Sequence, residues 1–140
     1  MPTPDFNFLI YKTAEEDITV NAVIRDETIW LTQKAMAELF GVQAPAISKH
    51  LNNIYEEGEL LASSTISKME IVRQEGERTV KRRLDTYNLD MILSVGYRVN
   101  SKNATQFRIW ANKILKEYLI KGYAVNNQAK AEQLEELKKT

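Results

Sequence analysis

Gln33-Lys-Ala-Met-Ala37-Glu-Leu-Phe40-Gly41-Val42-Gln43-Ala-Pro-Ala-Ile47-Ser48-Lys49-His50-Leu51-Asn52-Asn53-Ile54 has the pattern of two short helices joined by a tight turn. Thr32 is a suitable N-cap for the first helix. Met36, Ala37, Leu39 and Phe40 fall at helical spacing, and Gly41 supplies a residue that tolerates positive φ in the turn. Ala37 is small where the two helices must touch. Val42 and Ile47 are apolar just after the turn and one turn into the second helix. Pro45 suits a first helical turn, where its missing N–H costs nothing. Gln43 stands where Ser or Asp would be a better cap. Gly58 ends the second helix. Outward on that helix the pattern leaves Gln43, Ala44, Ser48, Lys49 and Asn52, short polar or cationic groups suited to base edges in a major groove. An ordinary αα-hairpin with the same glycine would carry the same pattern.

Working outward, residues 6–31 read as three short strands, with turns at Ala14–Asp17 and Arg25–Glu27. Such a run predicts a β-meander. Ser64 to about Arg73 and Arg78 to Leu84 read as the arms of a hairpin turning at Glu75-Gly76-Glu77. Val80 and Leu84 share one side with Arg78 and Arg82, while Lys81 and Arg83 share the other. This ribbon is expected to project from the core. With Lys34, the residues Arg73, Arg78, Lys81, Arg82 and Arg83 form a candidate phosphate-contacting set. A charged edge that discourages strand pairing would read the same way in isolation. Next to a helix pair, the ribbon suggests a wing. Asn88 caps a predicted helix that breaks at Tyr97–Lys102. A second helix runs from about Ala104 to Lys121, with Phe107, Trp110, Ala111, Ile114, Leu115, Tyr118 and Leu119 on its apolar face.

The 140 residues suit one domain, and the formal net charge is zero. That neutrality hides an asymmetry. Residues 1–59 hold 4 Lys/Arg against 10 Asp/Glu, whereas residues 60–125 hold 12 against 6, so a basic face is compatible with a neutral total. The absence of cysteine and the single histidine, His50, exclude a disulfide framework, a thiol nucleophile and Cys- or His-cluster metal sites. His50 reads as a packing or phosphate-facing residue. No phosphate-binding glycine loop or nucleophile elbow is present. No cofactor, no metal and no catalytic residue are expected, and no membrane span or signal peptide, which makes a cytoplasmic protein the default.

Three stretches carry a resemblance. They are Glu27-Thr-Ile-Trp-Leu-Thr-Gln-Lys34, His50-Leu-Asn-Asn-Ile-Tyr-Glu-Glu-Gly-Glu-Leu60, and the segment from Tyr87 through Val95-Gly96-Tyr97-Arg98 and Phe107-Arg-Ile-Trp110 to Tyr123. The chain resembles the RhuM family of virulence-associated proteins over about residues 8–125. It is also similar to the N-terminal domain of BRO-type phage antirepressors. The resemblance implies a DNA-binding region, often followed by a separate C-terminal region, and brings no catalytic residues.

The sequence therefore predicts an α+β chain: an N-terminal β-meander, a helix-turn-helix with a β-hairpin wing, and two C-terminal helices. Residues 1–125 are expected to form a winged helix-turn-helix-like DNA-binding domain. Residues 126–140 would begin a helical linker to a region beyond this chain, through which a protein partner could be engaged. The expected function is sequence-specific binding of double-stranded DNA by a homodimer, in transcriptional regulation and without enzymatic activity. The alternative is an antirepressor-like protein-interaction module.

Overall fold

The computed structural model describes residues 8–13 and 18–121. The expected turn at 14–17 and the helical linker at 126–140 lie outside them. Three strands open the chain: β1 (Phe8–Lys12), β2 (Thr19–Arg25) and β3 (Thr28–Thr32). Each pairs antiparallel with the next, giving the meander. The β2–β3 turn has only two residues between the paired Arg25 and Thr28, and both Asp26 and Glu27 adopt positive φ, the geometry that matches the strand twist. The Trp30 Nε1–H donates to the Arg25 carbonyl at 2.9 Å and braces that turn.

Two helices then interrupt the sheet, α1 (Gln33–Phe40) and α2 (Ala44–Glu57). Thr32 caps α1 by accepting from the Ala35 N–H at 3.1 Å, and Gly41 closes it at φ 73°. Gln43 makes no side-chain cap, Pro45 lies in the first turn of α2, and Gly58 ends it at φ 76°. A one-turn helix, α3 (Ala62–Thr65), occupies the place assigned from sequence to the start of the hairpin. The Thr65 hydroxyl, bonded to the Leu61 carbonyl at 2.7 Å, holds that turn.

The hairpin arms are β4 (Ile66–Glu75) and β5 (Arg78–Asn88). The second arm is longer than its sequence pattern predicted, and its last residues do not project. Thr86, Tyr87 and Asn88 pair with Thr32, Leu31 and Trp30, so the base of the hairpin completes a five-stranded sheet in the order β1-β2-β3-β5-β4. Only Arg78–Asp85, with their partners on β4, extend past β3. The helices α4 (Leu89–Val99) and α5 (Ser101–Lys121) follow. Asn88 caps α4 as expected, through the Met91 N–H. The break is sharper than predicted. α4 continues through Tyr97 and Arg98, and Asn100 alone divides the helices, its side chain accepting from the Asn103 N–H at 3.1 Å. The chain is thus a mixed α/β fold with an antiparallel sheet, the coarse form of the expected class.

One face of the sheet, carrying Leu9, Val20, Ala22, Ile24, Ile29 and Leu31, is buried with Met36, Phe40, Ile47, Ile54, Ile92 and Phe107 from the helices. Trp110 is only partly buried at the edge of this core, where it meets Tyr11 and Phe107 with ring centroids 4.9 and 5.4 Å away. The tightest approach is at Gly96. A β-carbon there would lie 2.5 Å from the Phe40 ring and 2.7 Å from the Ala104 β-carbon. Beside it the buried Asn103 Nδ2 donates to the Leu39 carbonyl at 2.9 Å and satisfies an end of α1. Gly96→Ala gains helix propensity worth about 1 kcal/mol but forces Phe40 and Ala104 apart. A net loss of about 1–3 kcal/mol is expected in urea unfolding. Adding Phe40→Leu should recover part of it.

Candidate nucleic-acid interface

The exposed side of α2 is a stripe set by helical spacing: Pro45, Lys49, Asn52 and Glu56. Gln43 and Ala44, at the head of the helix, are exposed as well. The side chains of Gln43, Lys49 and Asn52 bond to no other described residue. The stripe is electrically divided. Its N-terminal half carries Lys49, and its C-terminal end carries Glu56, which would repel an anion. Only the first half is suited to a phosphate-lined groove.

Ser48 differs from its sequence-based reading. It is half-buried, and its hydroxyl accepts from Gln33 Nε2, which also donates to the Ala44 carbonyl at 2.9 Å. Gln33, in the first turn of α1, therefore ties the head of α2 in place. From sequence alone Gln33 only opens the helix-pair motif. His50 is half-buried, with its Nδ1 enclosed and unpaired, in keeping with a packing role.

The tail of α2 is held independently. Arg98 of α4 donates to Glu57 at 2.7 Å and Glu59 at 2.8 Å, and the Ser94 hydroxyl donates to Glu59 at 2.9 Å. Tyr55 and Thr65 share a hydrogen bond of 3.0 Å between hydroxyls. The hydrogen bond from Arg98, then that from Ser94, lowers the pKa of the Glu59 carboxyl. The two glutamates raise that of Arg98.

The hairpin cations separate into two groups. Arg82 is gripped by both carboxylate oxygens of Glu75, at 2.9 and 3.2 Å, and Lys68 is paired with Asp85 at 2.6 Å. Lys81 and Arg83 lie together on the strand side opposite Arg82, both exposed, and neither they nor Arg78 has a partner among the described residues. Arg73 lies on β4 opposite Val80; its side chain is outside the description. Lys34 is exposed on α1 without a partner.

Topology brings these groups to one end of the molecule. The register Thr32↔Thr86 means that β5 passes the point where β3 gives way to α1. The eight residues from Arg78 to Asp85 therefore overhang the head of α1 by about 25 Å at the usual strand rise. Gln33 holds the head of α2 at that same end. Among the described residues no cluster of three or more His, Asp or Glu could hold a metal ion, and no helix is long and apolar enough to cross a membrane.

The Val95-Gly96-Tyr97-Arg98 motif has a physical role at each polar or small position: Gly96 admits Phe40, Arg98 holds the tail of α2, and the Tyr97 hydroxyl accepts from Arg108 Nε at 3.1 Å. The model of the Virulence protein RhuM family matches residues 64–139, more than half of the chain. The chain belongs to that family. The RhuM match takes in the hairpin and α4–α5 but not α1 and α2, and a likeness to BRO-type antirepressors is not shown. No curated protein and no solved structure matches the chain.

Gln33→Ala is expected to cost about 1 kcal/mol and to speed amide hydrogen exchange in the first turn of α2, leaving its last turn unchanged. Acid should act at the other end. A carboxyl whose folded pKa is lowered contributes stability that is present above its ordinary value of 4.5 and lost as pH falls through its folded value. Glu59→Gln should therefore flatten the acid limb of stability against pH. The change should be small and greatest at low salt, because the carboxylate is largely exposed. Chemical denaturation across that limb measures it.

Proposed function

We propose that this RhuM-family chain binds double-stranded DNA, with the N-terminal half of α2 in the major groove and the β4–β5 overhang as a wing along the phosphates. One observation carries the reading: the open cations Lys81 and Arg83 and the unpaired groups Gln43, Lys49 and Asn52 lie at one end of the molecule. A recognition helix reads bases mostly from its N-terminal residues, and the acidic tail of α2 suits that polarity. Ser48 acts here by orienting the helix through Gln33, while Asn52 and Lys49 face the bases. The site is a binding surface rather than a catalytic one. The reading extends to a cytoplasmic transcriptional regulator acting as a two-fold pair, since one helix reads few base pairs. Leu119 and Ile120, exposed at the end of α5, are apolar groups available to a second copy.

The alternative, a protein-interaction module, draws on the hairpin's internal ion pairs, which leave few cations free, and on a family match that omits α1 and α2. The two readings separate by salt dependence. In the DNA reading, Lys81→Ala with Arg83→Ala makes the log–log salt slope for duplex binding shallower by about two, while selection from a random duplex pool is retained. Asn52→Ala instead relaxes preference at particular base pairs, by about 1–3 kcal/mol where the contact is bidentate. A folded double variant with the wild-type slope would favour the protein-partner reading.

A further inference from the structure

The outer face of the sheet, away from the helices, is not an ordinary solvated surface. The register sets Phe8 opposite Val23 and Val23 opposite Trp30, an apolar row across three strands. The hairpin closes over this row, and α1 borders it. The result is a cleft of about 440 Å³ walled by Phe8, Ile10, Val23, Trp30, Ile71 and Leu84. Phe8 and Ile10 remain 39% and 38% exposed, so the walls are apolar but open to an occupant. That volume is in the range of small-molecule pockets, which combine apolar walls with a few placed polar groups.

The polar groups here are two opposite charges. Lys34 and Glu38 line the cleft one turn apart on α1. Neither makes an ion pair or hydrogen bond with another described residue. A purely anionic ligand that met Lys34 would also face Glu38, and a purely cationic one would face Lys34. A molecule with a carboxylate and an ammonium close together satisfies both.

We propose that this cleft binds a small apolar zwitterion, of the class of the aromatic and branched-chain α-amino acids. The carboxylate meets Lys34, the ammonium meets Glu38, and the side chain lies against Trp30 and the Phe8–Ile10 wall. Lys34 also belongs to the phosphate-contacting set expected from sequence, but the cleft needs no DNA and stands or falls without that reading.

Trp30 lines the cleft and the other tryptophan, Trp110, packs at the edge of the core against Tyr11 and Phe107, so a Trp110→Phe variant reports on the cleft alone. Titration with L-phenylalanine should give a saturable change in its fluorescence. 3-Phenylpropionate, which lacks the ammonium, and phenethylamine, which lacks the carboxylate, should each bind at least tenfold more weakly. Ile71→Lys, on the cleft side of β4, should abolish the response. Lys34→Gln should erase the preference for phenylalanine over phenethylamine. Equilibrium dialysis of the unaltered chain with labelled phenylalanine gives the same comparison if Trp110→Phe does not fold. The proposal is overturned if phenylalanine does not saturate, if the three compounds bind alike, or if Ile71→Lys in a folded protein leaves binding intact. No DNA enters the measurement, so its failure says nothing against the interface on α2 and the hairpin.

Discussion

Phe40 fills the space that a side chain on residue 96 would otherwise occupy. This contact joins the last residue of α1 to the last turn of α4, with Ala104 of α5 closing the third side. Core side chains sit at crystal-like density, so the absent β-carbon at Gly96 sets how near α1 can lie to the C-terminal pair. Asn103, bonded to the Leu39 carbonyl, fixes the same junction through a polar contact. The turn at Gly41 follows at once. The direction in which α2 departs is therefore decided at a point remote from its exposed face.

From that junction α2 is held at both ends by different chemistry. A neutral amide from Gln33 serves the head, and a guanidinium from Arg98 serves the tail. Each partner belongs to a different helix. The helix is presented as a rigid bar, with its side-chain donors and acceptors free mainly along Gln43, Lys49 and Asn52. Burial of Ile47, Leu51 and Ile54 beneath it supplies most of the holding free energy. The polar ties set rotation and register more than they add stability.

What could be read from the sequence was local. Thr32, Gly41, Gly58, Asn88 and the turn at Gly76 act within a few residues of themselves, and each stands where its chemistry required. The helix pair, the meander and the basic ribbon followed from periodicity. What could not be read depended on distant partners. Nothing near Thr86 announces that it will pair with Thr32, so the base of the hairpin looked free. Nothing in the Ser48 segment signals that Gln33 will take its hydroxyl. The pairing of Arg82 with Glu75 needed the hairpin register, because both residues read simply as charges on a solvated edge. A polar residue at the first position of one helix and a serine in the first turn of the next was the available sign for the Gln33 tie.

The insertion of α1 and α2 between two neighbouring strands has a consequence for how the chain can be divided. β3 and β5 lie side by side, yet the whole helix pair and β4 intervene between them in sequence. A fragment beginning near residue 64 keeps the stretch that the family match covers, but it exposes one edge of β5 as unpaired backbone and leaves an empty notch over Gly96. A fragment ending near residue 57 keeps the helices but loses α4, against which α2 is anchored, and the strand that completes the sheet beside β3. Evolutionary unit and cooperative folding unit need not share boundaries here. Loop closure across the insertion must come before the strand pairing that rewards it. A break in the chain between α2 and β4 would divide the two halves of one core.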